Sequence, residues 1–150
     1  MSTEMSSQGW RMSKFLTIEF VERVCFAYAS KRMAFIEPIP LFDSRFPGKL
    51  ESAIEAPMRS FGGELMYKSL EEQAAVMFYE LTKLHPFENG NKRMAIVATL
   101  AFLLLNDRWL QVGHEELYLT AIHVASSDAR DRENILKELF VLFRQHLVDA

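Results

Sequence analysis

A chain of 150 residues, 49% hydrophobic and 25% charged, suits a single globular domain with one sizeable core. A net charge of −3 gives no overall pull toward nucleic acid or an anionic membrane, although a local basic site needs only a few groups. The single cysteine, Cys25, excludes an intramolecular disulfide and points to a reducing compartment, the cytoplasm.

The first residues, Met1 to Gln8, are polar and predict no secretory leader; residues 1–14 read as a flexible tail and 15–150 as the folded domain. A helix is expected from Ile18 to Lys31, capped by Thr17, with Glu19 and Glu22 at its positive end and Cys25 as a buried thiol. Residues 36–48 contain Pro38, Pro40, Pro47 and Gly48 and predict an irregular connection. A short helix over 49–55 stops at Pro57. The run Arg59-Ser60-Phe61-Gly62-Gly63 admits either a small hairpin, turning at two glycines, or a plain loop between helices.

Ser69-Leu70-Glu71-Glu72 is a capping box, and the helix it opens runs to Leu84 with Leu70, Ala74, Met77, Leu81 and Leu84 on one stripe. A tight loop over 85–90 leads into a helix over 91–105. Its twelve-residue apolar run from Met94 to Leu105 falls short of the ~20 residues of a membrane span and predicts the central, nearly all-buried helix of the fold. Trp109 to Val112 reads as short and extended, Glu115 to Ala125 as helix, and Arg130 to Val148 as a last amphipathic helix with Ile135, Leu139, Leu142 and Leu147 inward. The sum is an all-α bundle of about six helices.

Residues 85–93 carry the chemistry. A helix start presents N–H groups outside the helical ladder at Gly90, Asn91 and Lys92, and with the dipole behind them these make an anion site. Gly90 lets a phosphate approach the backbone, and Asn91 adds a side-chain amide. Lys92 and Arg93 put positive charge where most helix starts avoid it, which suits a polyanion such as ATP. His85 can take a proton from a hydroxyl nucleophile, Pro86 stiffens the loop, and Phe87 anchors it in the core. Taken singly, a histidine at a helix end is ordinarily structural and Asn-Gly is only a turn signal. Base, cradle and cations within nine residues make a minimal phosphoryl- or nucleotidyl-transfer site.

The run His85-Pro86-Phe87-Glu88-Asn89-Gly90-Asn91-Lys92-Arg93 resembles the motif of the Fic/Doc family, and Gly90-Asn91-Lys92-Arg93 is closer to its Doc (death-on-curing) branch. Leu50-Glu51-Ser52-Ala53-Ile54, Phe61-Gly62-Gly63 and the helix order are also similar to Doc-type toxins, so the resemblance covers roughly 15–148. It implies a compact Fic fold with a small β-hairpin flap. It implies His85 as general base on a Ser or Thr hydroxyl of a protein target, and Gly90, Asn91, Lys92 and Arg93 as the nucleotide-phosphate site. Arg59, Ser60, Phe61, Gly62 and Gly63 become the flap that positions the target chain by strand-like pairing. Fic proteins of the common type transfer AMP from ATP. In the Doc branch the lysine reverses the nucleotide, so that the γ-phosphate passes to a translation factor such as elongation factor Tu and growth stops.

Two positions depart from the family pattern. Asn89 stands where an acid holds Mg²⁺, and its neutral oxygen lowers the expected metal affinity. Ile96 stands in place of the second motif arginine, which argues against ordinary AMP transfer. Ser60 and Glu64 have the spacing of the family's inhibitory element, but Leu65 follows, so restraint is expected from a separate antitoxin. AMP transfer and a degenerate, non-catalytic binding module remain the alternatives. Interleaved charges at Arg130, Asp131, Arg132 and Glu133 argue against direct nucleic-acid binding. His85, His114, His123 and His146 show no metal-ligand spacing, and His123 reads as a core histidine.

Overall fold

The structure, a computed structural model, describes residues 13–32 and 41–150. The described residues form an all-α bundle of six helices with two small antiparallel ribbons. Helix α1 spans residues 18–32 and opens into a π-helix at Val21–Phe26. Thr17 caps it, its hydroxyl accepting from Phe20 N–H at 3.1 Å, and Cys25 is buried. Most of the expected tail, and residues 33–40 with the first part of the proline-rich connection, lie outside the described residues. Ser13 and Lys14, expected in the tail, are already tied down: Ser13 Oγ donates to Gln73, and Lys14 N–H to Asn106 Oδ1 at 2.7 Å.

Residues 41–48 hold one 3₁₀ turn, Phe42–Ser44, and lead into α2, Lys49–Glu55. The segment at 59–65 is a hairpin: β1, Ser60–Phe61, pairs with β2, Glu64–Leu65, in the register Ser60↔Leu65 and Phe61↔Glu64. Gly62 and Gly63 sit at φ of 63° and 85°, the two positive values that a two-residue turn matched to strand twist requires.

Helix α3, Leu70–Leu84, starts at the expected capping box: Ser69 Oγ accepts from Glu72 N–H at 3.2 Å, and Glu72 Oε1 accepts from Ser69 N–H at 3.1 Å. This helix, not the following one, is the centre of the bundle, because every residue from Gln73 to Thr82 is buried. Its amphipathic look misleads because its polar residues find partners inside. Gln73 donates to Tyr67 C=O at 2.9 Å, Glu80 accepts from Arg132 at 2.9 Å, and Thr82 donates to Phe78 C=O at 2.8 Å. Helix α4, Asn91–Leu105, packs against it and buries Met94, Ala98 and Phe102 but leaves Leu104 54% exposed.

Strand β3, Arg108–Leu110, is the expected extended stretch. After α5, His114–Ser126, and a 3₁₀ turn at Ala129–Asp131, helix α6 runs over Arg132–His146. It ends earlier than its apolar pattern predicts, because Leu147–Asp149 leaves it as β4 to pair with β3 (Trp109↔Val148, Leu110↔Leu147). His123 is no core residue either. Helix α5 buries only Leu117, Ala121 and Val124, and His123 faces solvent with Nε2 3.0 Å from Glu138 Oε1. Among the described residues, no helix is long and apolar enough to cross a membrane.

Candidate active site

The loop 85–90 joins the central helix to α4 and is bracketed by two left-handed residues. His85, the C-cap of α3, has φ 52°, and Gly90, the N-cap of α4, has φ 82°. Glycine adopts that conformation without penalty, whereas a histidine there carries strain, and strain of this kind gathers at functional positions. The His85 side chain is exposed, and its Nδ1 lies 3.1 Å from Lys83 C=O. A carbonyl only accepts, so Nδ1 is the donor in that contact, and in the neutral imidazole this leaves the lone pair on Nε2.

Phe87 plugs the loop into the core. It is 1% exposed, with ring centroids of Phe26 and Phe42 at 5.5 Å and 6.0 Å. Burying such a ring is worth about 1.5–3 kcal/mol. The connection before α2 braces the same loop, with Phe46 N–H donating to Pro86 C=O at 2.8 Å. Asn91 closes it from the other side: its Oδ1 accepts from Phe87 N–H at 2.9 Å and its Nδ2 donates to Phe87 C=O at 2.7 Å. The Asn91 side chain is therefore held to the loop by its oxygen and by one of its two amide hydrogens.

The first helical hydrogen bond of α4 is Met94 N–H to Gly90 C=O, so the N–H groups of Asn91 and Lys92 precede the ladder. They open on a cavity of about 280 Å³ lined by His85, Glu88, Asn89, Gly90, Asn91, Lys92 and Arg93, with Thr82 and Ala125 on its walls. A single cavity thus gathers the proposed base, the helix start and both cations. Tyr118, half exposed on α5, forms the far rim. Sequence reasoning missed it; its signal was the seven-residue spacing to Ala125, which puts both on one flank of α5 beside the buried stripe.

Ile96 is 5% exposed in the core, so the position of the second motif arginine faces hydrocarbon here. Asn89 Oδ1 is buried without a hydrogen-bond partner, an atom left in want of a donor or cation. Glu88 is the one carboxylate on the cavity wall, and no group of three His, Cys, Asp or Glu able to hold a metal occurs among the described residues. The residues fit a Mg²⁺ that arrives with a nucleotide's phosphates, not a metal held by protein alone.

The flap residues lie elsewhere. Arg59 and Ser60 border a separate open depression of about 540 Å³ with Gly48, Glu51, Ser52 and Glu55, and Phe61 stands 84% exposed at the hairpin tip. Arg59 reaches back to α3 through Glu80, at 3.7 Å.

The helix start with N–H groups outside the ladder, the imidazole on the same cavity and the separate hairpin are the parts that the motif resemblance implies for a Fic-type domain. The family model of the Fic/DOC family matches residues 20–103, from α1 through most of α4, and the chain belongs to that family. Its members are transferases acting on protein hydroxyl groups. No curated protein and no solved structure matches the chain.

Proposed function

We propose that this chain is a Doc-like toxin of the cytoplasm that transfers the γ-phosphate of ATP to a Ser or Thr hydroxyl of a protein, a translation factor such as elongation factor Tu. The observation that carries the reading is the pairing of Lys92 in the anion cavity with Ile96 sealed in the core. The phosphate site keeps its lysine and lacks the second arginine of AMP-transferring relatives.

His85 Nε2 takes the proton of the target hydroxyl as its oxygen bonds to the γ-phosphorus. The bond from that phosphorus to the β–γ bridging oxygen breaks, and ADP leaves. The N–H groups of Asn91 and Lys92 and the cations of Lys92 and Arg93 stabilise the charge on the phosphoryl oxygens. Asn89 Oδ1 would hold Mg²⁺ together with the nucleotide's own oxygens, and the ion would neutralise phosphate charge. The β1–β2 hairpin pairs with an extended segment of the target. Restraint falls to a separate antitoxin chain, since the Ser60 and Glu64 spacing belongs to the hairpin and forms no inhibitory helix.

Incubation with cell extract and ATP labelled at the α- or the γ-phosphate tests the reading. A protein band labelled from γ-ATP alone, with a mass gain of one phosphoryl group, supports it. Label from α-ATP makes the chain an AMP transferase, and no label from either makes it a binding module. Induced expression should arrest growth, and His85→Ala should relieve the arrest.

A further inference from the structure

Both legs of the hairpin are tied to the helix that ends in His85, the first of them through a buried carboxylate. Arg59, the residue before β1, brings Nη1 to 3.7 Å from Glu80 Oε2. The same oxygen accepts from Arg132 Nη2, at the start of α6, at 2.9 Å. On the other leg Tyr67, two residues past β2, sets its side chain beside the Arg132 guanidinium, and its C=O accepts from Gln73 Nε2 at 2.9 Å. Met66 N–H donates to Arg59 C=O at 2.8 Å and joins the legs. Arg132 also lies over the Tyr79 ring, 5.4 Å from its centroid.

Glu80 is 8% exposed, and a carboxylate so buried needs cations and donors around it. An apolar residue would fill the same space without that need. What the carboxylate adds is direction, a fixed oxygen on which two guanidiniums converge from different elements. Five residues further along α3, about 7.5 Å of axial rise, stands His85. Glu80 itself does not line the anion cavity, so it is positioned to act on the hairpin and not on the reacting atoms.

We propose that Glu80 is a positioning residue: through Arg59 and Arg132 it fixes where the β1–β2 hairpin stands relative to His85, and so governs capture of the protein target. The proposal rests on the transferase reading above. Its test is Glu80→Gln, which keeps shape and removes the charge, with labelled γ-ATP and graded amounts of cell extract. The extract concentration giving half-maximal labelling should rise about fivefold or more, with the plateau rate and the half-saturating ATP within twofold of wild type. Arg59→Ala should do the same, and the double variant should not exceed the larger single effect. Amide hydrogen exchange in 60–66 should quicken about tenfold while that in 94–103 stays put.

A lowered plateau at unchanged half-saturation would mean a merely structural role and overturn the proposal, as would additive effects or unaltered exchange at 60–66. An absence of label from wild type would sink the transferase reading instead, and the exchange comparison would still decide whether Glu80 holds the hairpin. Should Glu80→Gln not fold, Arg59→Ala, altered at the surface, carries both measurements.

Discussion

The side-chain amide of Asn91 closes on both backbone groups of Phe87, accepting at 2.9 Å and donating at 2.7 Å, so the start of α4 and the bottom of the loop 85–90 are one rigid piece. Asn91→Ala leaves a buried N–H and a buried C=O without partners, at about 1–3 kcal/mol each. Urea unfolding should show a loss of about 2–6 kcal/mol, with transfer abolished. Asn91→Asp should be no milder, since its second oxygen meets Phe87 C=O. A variant as stable and active as wild type would show that the amide is dispensable.

His85 separates function from stability. Its side chain is exposed and its backbone is left-handed. His85→Gly should therefore match or exceed wild-type stability, by up to about 1 kcal/mol, while transfer disappears. Destabilisation in parallel with lost activity would assign the imidazole a structural role.

Asn89→Asp puts a formal charge on the one side-chain oxygen of the loop that is buried without a partner. Calorimetry with MgATP and with ATP alone should show the Mg²⁺-dependent part of binding strengthened by about tenfold. Without the cation the same variant should be less stable than wild type, because a buried carboxylate then lacks a counter-charge. Equal Mg²⁺ dependence in the two proteins would remove Asn89 from the metal site.

Glu51 gives a pH dependence with a definite sign. A hydrogen bond from its own backbone N–H, then one from Arg45 at 3.1 Å, holds its carboxyl below the ordinary value. A lowered carboxyl stabilises the fold fully above its unfolded value, about 4.3, and that stability is lost as the pH falls through the folded value. Glu51→Gln should therefore be less stable than wild type at pH 7, with the gap closing on acidification below about pH 4.3. A gap that widened in acid would reverse the assignment.

Burial pushes the Cys25 thiol up to about 12. A thiol reagent at pH 8 should react only at the rate of opening of α1, and readily in urea. Fast labelling of the native protein would mean that this helix opens far more often than the rest of the core.

The motif loop was legible in the sequence because its parts are contiguous: base, plug, glycine and cations lie within nine residues, and the helices on either side carry local signals such as the Ser69–Glu72 box. What stayed hidden is long-range. Gln73, Glu80 and Thr82 look like solvent positions until Tyr67, Arg132 and the Phe78 carbonyl are brought to them. Leu147 belongs to the apolar pattern of α6, yet it pairs with Leu110, which no local periodicity reports. Tyr118 and Arg132 reach their places from helices beyond the motif, so their parts depend on the fold and not on spacing.

The hairpin at 60–65 has an implication for handling the protein. A ribbon with open outer margins and a bare phenyl ring at its tip, Phe61, is the kind of surface through which copies of a chain stick together. Its strands are only two residues each, too short to seed a growing stack, and Lys68 beside Glu64 keeps charge at the base. Brevity thus limits how many further strands such an unfinished sheet can recruit.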